Sequence, residues 1–130
     1  MRKVTAAIME REGRILIARR KRDDRFGGLW EFPGGKLEPE ESPEQCLKRE
    51  LFEELGIEVK IGKFIFAARY FSSFLSIELL VYEVAYVSGE FKLHDHDEVR
   101  WVWPEELDKF EFAEPDIPVV NKIKKRGEEA

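Results

Sequence analysis

The chain has 130 residues, the length of one domain spanning 1–130, and 22 Lys and Arg stand against 27 Asp and Glu for a net charge of −5. That balance excludes the cationic surplus that grips a nucleic-acid polymer, and a single cysteine, Cys46, excludes an internal disulfide or a thiolate metal cage. Apolar residues at 43% suffice for a core, no apolar run approaches a membrane span, and the opening MRKVTAAIMEREGR lacks a signal-peptide h-region, so the expectation is a soluble, cytoplasmic protein.

In chain order, Val4 to Met9 and Arg14 to Ala18 are apolar runs separated by the charged turn Glu10-Arg11-Glu12-Gly13, which predicts a two-stranded hairpin. Residues 19–28, basic and then Gly-rich, read as an exposed loop in which Lys21, Arg22 and Arg25 are solvated. A short strand fits Leu29 to Phe32, closed by Pro33-Gly34-Gly35. Ser42 to Leu55 carries helix marks: Ser42 as N-cap, Pro43 in the first turn, Gln45 completing a capping box, and Leu47, Leu51 and Leu55 at four-residue spacing before Gly56. Strands are expected over Ile57 to Phe71, Ser76 to Val87 and Val99 to Trp103. A helical turn at Pro104-Glu105-Glu106-Leu107 and a final helix from Ile117 to Arg126, with Asp116 available as its cap, complete the chain. Strands alternating with two helices predict an α/β domain, a mixed sheet with helices on both faces.

The first helix is electrostatically unusual. Glu50, Glu53 and Glu54 stand at i, i+3 and i+4, sharing one face near the C-terminal end, where the helix dipole disfavours negative charge. Either this is a solvated acidic face, with Arg49 pairing to Glu53 and Lys48 to Glu44, or a hard divalent cation neutralises it. Residues 31–58 hold nine acids and three bases, whereas the rest of the chain is nearly neutral. The negative charge therefore gathers around this helix.

From Gly35 the chain reads GKLEPEESPEQCLKRELFEELGI, which matches G-x5-E-x7-R-E-U-x-E-E-x-G-U, U being bulky and apolar, at Gly35, Glu41, Arg49, Glu50, Leu51, Glu53, Glu54, Gly56 and Ile57. This resembles the Nudix box, and LIARRK, LWEFPGGK and FAEPDIPVV look like segments of MutT-type nucleoside triphosphate pyrophosphohydrolases, including the branch acting on CTP and oxidised nucleotides. The resemblance implies an α/β/α sandwich with a mixed β-sheet between helices. It also implies Mg²⁺-dependent hydrolysis of a nucleoside triphosphate to monophosphate and pyrophosphate, with Mn²⁺ able to substitute, in nucleotide-pool sanitation.

By the same resemblance Glu50, Glu53, Glu54 and the Gly34 carbonyl are metal ligands, while Glu41 and Arg49 orient the loop and the carboxylates. Two residues compete as general base. Glu50 matches the box glutamate with that role, and Glu98, in HDHDEVRW, matches a carboxylate outside the box that adds a ligand or base; Asp95 and Asp97 are near enough to exchange roles with it. On its residues alone HDHDE also reads as a polar loop with solvated side chains, which disfavours a zinc site at His94 and His96. For the nucleotide, Arg20 would contact phosphate, Lys36 would lie near the phosphates, and Glu31, Phe32 and Phe71 would wall the nucleoside. Asp116 stands where MutT-type sequences carry an Asn that reads an oxidised guanine. Its carboxylate suits a base edge with amino or N–H donors, and donates only if protonated.

The expected partner is a nucleotide, with no polymeric nucleic acid and no membrane, on a monomer or homodimer. Two alternatives stay open. Tyr70 lies near a tyrosine position typical of dinucleoside polyphosphate hydrolases, and a non-catalytic nucleotide-binding sensor would share the fold but lose box carboxylates that are retained here. ADP-ribose hydrolysis is disfavoured, because no proline occurs between Pro43 and Pro104.

Overall fold

A computed structural model describes residues 1–22 and 26–129; Arg25, read above as solvated, lies outside them. The strands are β1 (Arg2–Arg11), β2 (Arg14–Arg20), β3 (Trp30–Glu31), β4 (Glu58–Phe71), β5 (Ser76–Ser88) and β6 (His96–Val102). Helices α1 (Pro43–Leu55) and α2 (Ile117–Glu129) and 3₁₀ turns at Pro104–Lys109 and Glu114–Asp116 complete the described elements.

Alternation along β1 sets the layers, because successive side chains leave a strand on opposite faces. Ala7 and Met9 face Leu47, Leu51 and Leu55 of α1, whereas Ala6 and Ile8 join the cluster containing Val119, Val120 and Ile123 of α2. The sheet is therefore sandwiched between the two helices, as expected, and it is mixed. β1 runs parallel to β5 from Arg2 opposite Ile77 to Met9 opposite Val84, and β5 is antiparallel to β4.

On its other side β1 meets β2 only at the hairpin end, through Glu10 opposite Ile15 and Arg11 opposite Arg14. Beyond those pairs the strands part. β2 pairs with β6 along Ile15–Arg20 and with β3 at Ala18 and Arg19. The edge of β1 vacated by β2 is taken by the chain after β3: the amides of Ala7, Thr5 and Leu37 donate to the carbonyls of Pro33, Gly35 and Lys3. The two halves of the sheet thus diverge around the Pro33–Lys36 loop, and the divergence opens a cleft.

Two expectations are corrected by this architecture. His96 does not lie in a solvated loop: β6 begins there, and its side chain is fully buried. A bulge is the cause. The register moves between Arg19, opposite Glu98, and Arg20, opposite His96, so Asp97 is the extra residue and His96 turns inward. His94, by contrast, is exposed as expected. Asp116 does not cap α2: it ends the 3₁₀ turn before that helix, and its Oδ2 instead accepts from the amide of Phe32, 3.3 Å away beside β3.

Candidate active site

The loop that carries Gly34 and Gly35 is fixed by contacts too close for any side chain. A Cβ on Gly34 would lie 2.0 Å from the carbonyl oxygen of Thr5, inside the β1 backbone. One on Gly35 would lie 2.3 Å from the carboxyl carbon of Glu50. Thr5 clamps the loop reciprocally, its hydroxyl donating to the Gly35 carbonyl at 3.1 Å and accepting from the Gly35 amide at 3.3 Å. The first turn of α1 follows, with the Ser42 hydroxyl accepting from the Gln45 amide and the Gln45 side chain accepting from the Ser42 amide. Leu47, Leu51 and Leu55 are buried, so the opposite face of α1 presents its acids outward from a rigid base.

Arg49 is the hub of those acids. Its Nε and Nη2 bond both oxygens of Glu41 at 2.6 and 2.9 Å, and Nη1 reaches Glu50 at 2.8 Å and Glu53 at 3.1 Å. The guanidinium and the Glu38 amide hold the Glu41 carboxyl at about 2, below the usual range, while these partners raise Arg49 further above its already high value. Among the described residues no cation pairs with Glu54. Burial, the charge of Glu50 beside it, and those of Glu31 and Asp95 push its carboxyl up to about 9. Its Oε2 is buried without a hydrogen-bond partner.

An orphaned carboxylate oxygen beside further carboxylates fits a hard divalent cation, which would supply the missing positive charge. Glu50, Glu54 and the Gly34 backbone border the cleft, whereas Glu53 is largely exposed and turned toward Arg49. Among the described residues no three His, Cys, Asp or Glu side chains are already gathered around one point.

The cleft has a volume of about 490 Å³, within the range of nucleotide-sized sites. Its second wall is built by β2, β3 and the 3₁₀ turn before α2. Arg20 Nη1 donates to Glu31 Oε1 at 2.8 Å, and His96 Nε2 lies 2.7 Å from Glu31 Oε2. Asp116 is buried near the same carboxylate. Burial first, and then the negative charge of Glu31, raise its carboxyl well above the usual range, against the smaller effects of the Phe32 amide and Arg20. Phe32 stacks on Phe112 at 5.2 Å and 13°, which stiffens this wall.

The structure brings together Arg20, Glu31, Phe32, Gly34, Lys36, Glu50, Glu54 and Asp116 around one cleft. Arg49 is tied to the cleft through its bond to Glu50, and Glu53 through its bond to Arg49. It does not bring Glu98 or Phe71 there. Glu98 pairs with Arg19, at 3.5 Å, and with Arg100, and Phe71 is 62% exposed at the end of β4. Of the acids in HDHDE, it is Asp95 whose charge acts on Glu54. Sequence reasoning missed Thr5, Phe26, Leu75 and Ile77, which also border the cleft. A lone aromatic among the charges of the 19–28 loop was the available signal for Phe26; nothing local marked the others, which depend on strand pairing.

The model of the family described as NUDIX domain matches residues 1–123, and the chain belongs to the Nudix hydrolase family. Its relatives include the CTP pyrophosphohydrolase of Escherichia coli, 42% identical over 120 residues that cover 92% of this chain and 89% of that protein. They also include an 8-oxo-dGTP diphosphatase of Haemophilus influenzae, 31% identical over 92% of this chain and 89% of that one. The solution structure of the E. coli ORF135 protein superposes with a TM-score of 0.82 at 41% identity, covering 93% and 86% of the two chains. The MutT protein of Methanosarcina mazei superposes with a TM-score of 0.85 at 26% identity, covering 97% and 94%. Nudix hydrolases generally use a divalent metal, in keeping with the orphaned Glu54 oxygen.

Proposed function

We propose that this chain hydrolyses nucleoside triphosphates of the CTP, 5-methyl-dCTP or oxidised dGTP type to the monophosphate and pyrophosphate, with Mg²⁺ as the metal and Mn²⁺ able to substitute. The observation that carries this reading is that one cleft joins the acidic face of α1 to a wall bearing two carboxyl groups, Glu31 and the buried Asp116. Glu50, Glu54 and the Gly34 carbonyl would hold the cation, with Glu53 near enough to join them. Bound there, it would polarise the phosphoryl oxygens and lower the pKa of an attacking water. Glu50 would accept the proton of that water, a reading supported by the Arg49 bond that orients its carboxylate beside Gly35. Arg20 and Lys36 supply positive charge along the same cleft for the phosphates.

Beside Arg20, Glu31 accepts hydrogen bonds, and burial raises the Asp116 carboxyl, which favours its keeping a proton that it could donate. Two carboxyl groups suit a base edge that offers amino or N–H donors, such as N4 of cytosine or N1 and N2 of a guanine, and a proton retained on Asp116 would meet N3 or O6 beside them. The Tyr70 hydroxyl is engaged by Glu114 at 3.0 Å, which does not favour the dinucleoside polyphosphate reading. Action on free nucleotides in the cytoplasm, as a monomer or homodimer and without polymeric nucleic acid, completes the proposal.

The test is kcat/KM across canonical, oxidised and 5-methylated triphosphates with Mg²⁺, repeated on Asp116→Asn. Cytidine or oxidised guanine nucleotides should lead, pyrophosphate should be released, and Asp116→Asn should change the base ranking. Absence of pyrophosphate release from the whole panel would overturn the proposal.

A further inference from the structure

The His96 imidazole is a buried polar group that the reaction above leaves unused. Its side chain is 0% exposed, so it does not meet a substrate. Among the described residues its Nδ1 is buried with no hydrogen-bond partner, an arrangement that costs free energy. What it does have is one short contact, Nε2 to Glu31 Oε2 at 2.7 Å. The other oxygen of Glu31 is taken by Arg20 Nη1 at 2.8 Å.

We propose that His96 is a positioning residue for nucleobase selection, holding Glu31 from β6 while Arg20 holds it from β2, so that the carboxylate meets the base in one fixed orientation. The inference rests on the reading of this cleft as a nucleotide site. A carboxylate with one oxygen bonded on each side cannot rotate about its last torsion without losing one of two charge-assisted or short bonds. Each oxygen keeps a lone pair for a ligand. Residues reading a base gain discrimination from such fixed geometry, because a misplaced donor on the wrong base then leaves buried groups unpaired.

The β6 bulge supports this assignment. In unbroken register the residue opposite Arg20 would be Asp97, a second acid facing Glu31; the bulge instead puts a hydrogen-bond donor there and sends Asp97 to Arg19, 2.8 Å away. The irregularity thus exchanges a repulsive neighbour for one that can bond Glu31. Because a carboxylate accepts, Nε2 is the donor in this contact.

The test compares wild type with His96→Leu, His96→Asn and His96→Gln by calorimetric binding of cytidine, uridine and guanosine 5′-monophosphates and of pyrophosphate, all with Mg²⁺. Gln places an amide nitrogen near the Nε2 position and Asn does not. Leu and Asn should collapse the ratio between best and worst base by at least tenfold, with pyrophosphate affinity changed less than twofold, and Gln should restore most of the ratio. An unchanged ratio in Asn or Leu overturns the proposal. So does equal weakening of pyrophosphate, failure of Gln to rescue, or a wild type without base preference. If Leu does not fold, the Asn and Gln pair decides. Long-range ¹H–¹⁵N spectra of the wild type give an independent check, since an Nε2 without a proton also overturns it. Loss of triphosphate hydrolysis as a general property would sink the proposed function alone, because monophosphate binding reads the role of His96 without turnover.

Discussion

Glu54 concentrates the chemistry of the site into one carboxyl group. Its folded-state value of about 9 lies above the ordinary 4.5, so the metal-free fold holds a proton that the unfolded chain releases. Stability from this group is complete below about pH 4.5 and is lost progressively as pH rises to about 9. Glu54→Gln removes that dependence. In EDTA, the Tm of Glu54→Gln minus that of wild type should therefore grow between pH 5 and pH 9; a flat difference would show that Glu54 ionises freely. With Mg²⁺ the same variant should lose about 100-fold or more in kcat, in line with losses at metal-site residues.

At the scale of elements, the β1–loop–α1 unit was the most legible part of the sequence. Ser42, Gln45 and the leucine spacing are local signals, and they fixed the start, face and end of α1. Removing the cap in Ser42→Ala should cost about 1 kcal/mol in urea unfolding with kcat little changed. The two loop glycines separate packing from chemistry. Gly34→Ala would drive a methyl group into the β1 backbone, so it should lower Tm steeply or abolish folding. Gly35→Ala meets the Glu50 side chain instead, so it should leave a folded protein whose turnover falls because Glu50 is displaced. Equal Tm losses in the two variants would contradict this contrast. β6 was the least legible element. A bulge has no sequence signature in HDHDE, and it decides that His96 is buried, that Glu98 pairs with Arg19 and that Asp95 is the acid acting on Glu54.

Across the whole molecule, the negative charge seen in composition belongs to one segment, residues 31–58, with nine acids and three bases. Among the described residues Arg49 pairs with Glu38, Glu41, Glu50 and Glu53, and Arg20 with Glu31, whereas Glu54 is left with its carboxyl raised to about 9. A divalent cation entering the cleft should therefore displace protons as it binds. Calorimetric titration of Mg²⁺ near pH 7, in two buffers of different ionisation enthalpy, should show release approaching one proton per site. Saturation at about 100 times Kd should also stabilise the fold by about 2.7 kcal/mol. Binding heats that do not depend on the buffer would mean that Glu54 is already ionised.

The brief pairing of β1 with β2 has a consequence for how such proteins diversify. The acidic face and Gly34 are anchored on the β1–β5–β4 ladder, whereas Arg20, Glu31 and His96 belong to the β2–β3–β6 ladder, and only two residue pairs join these ladders between β1 and β2. If the β2–β3–β6 ladder reads the base as proposed, its side chains can be exchanged without breaking the Thr5–Gly35 and Arg49–Glu50 hydrogen bonds that hold the acidic face. A lineage could then change the base it selects by a few replacements, and those that keep the charges of Glu31 and Asp95 would also leave the ionisation of Glu54 as it was.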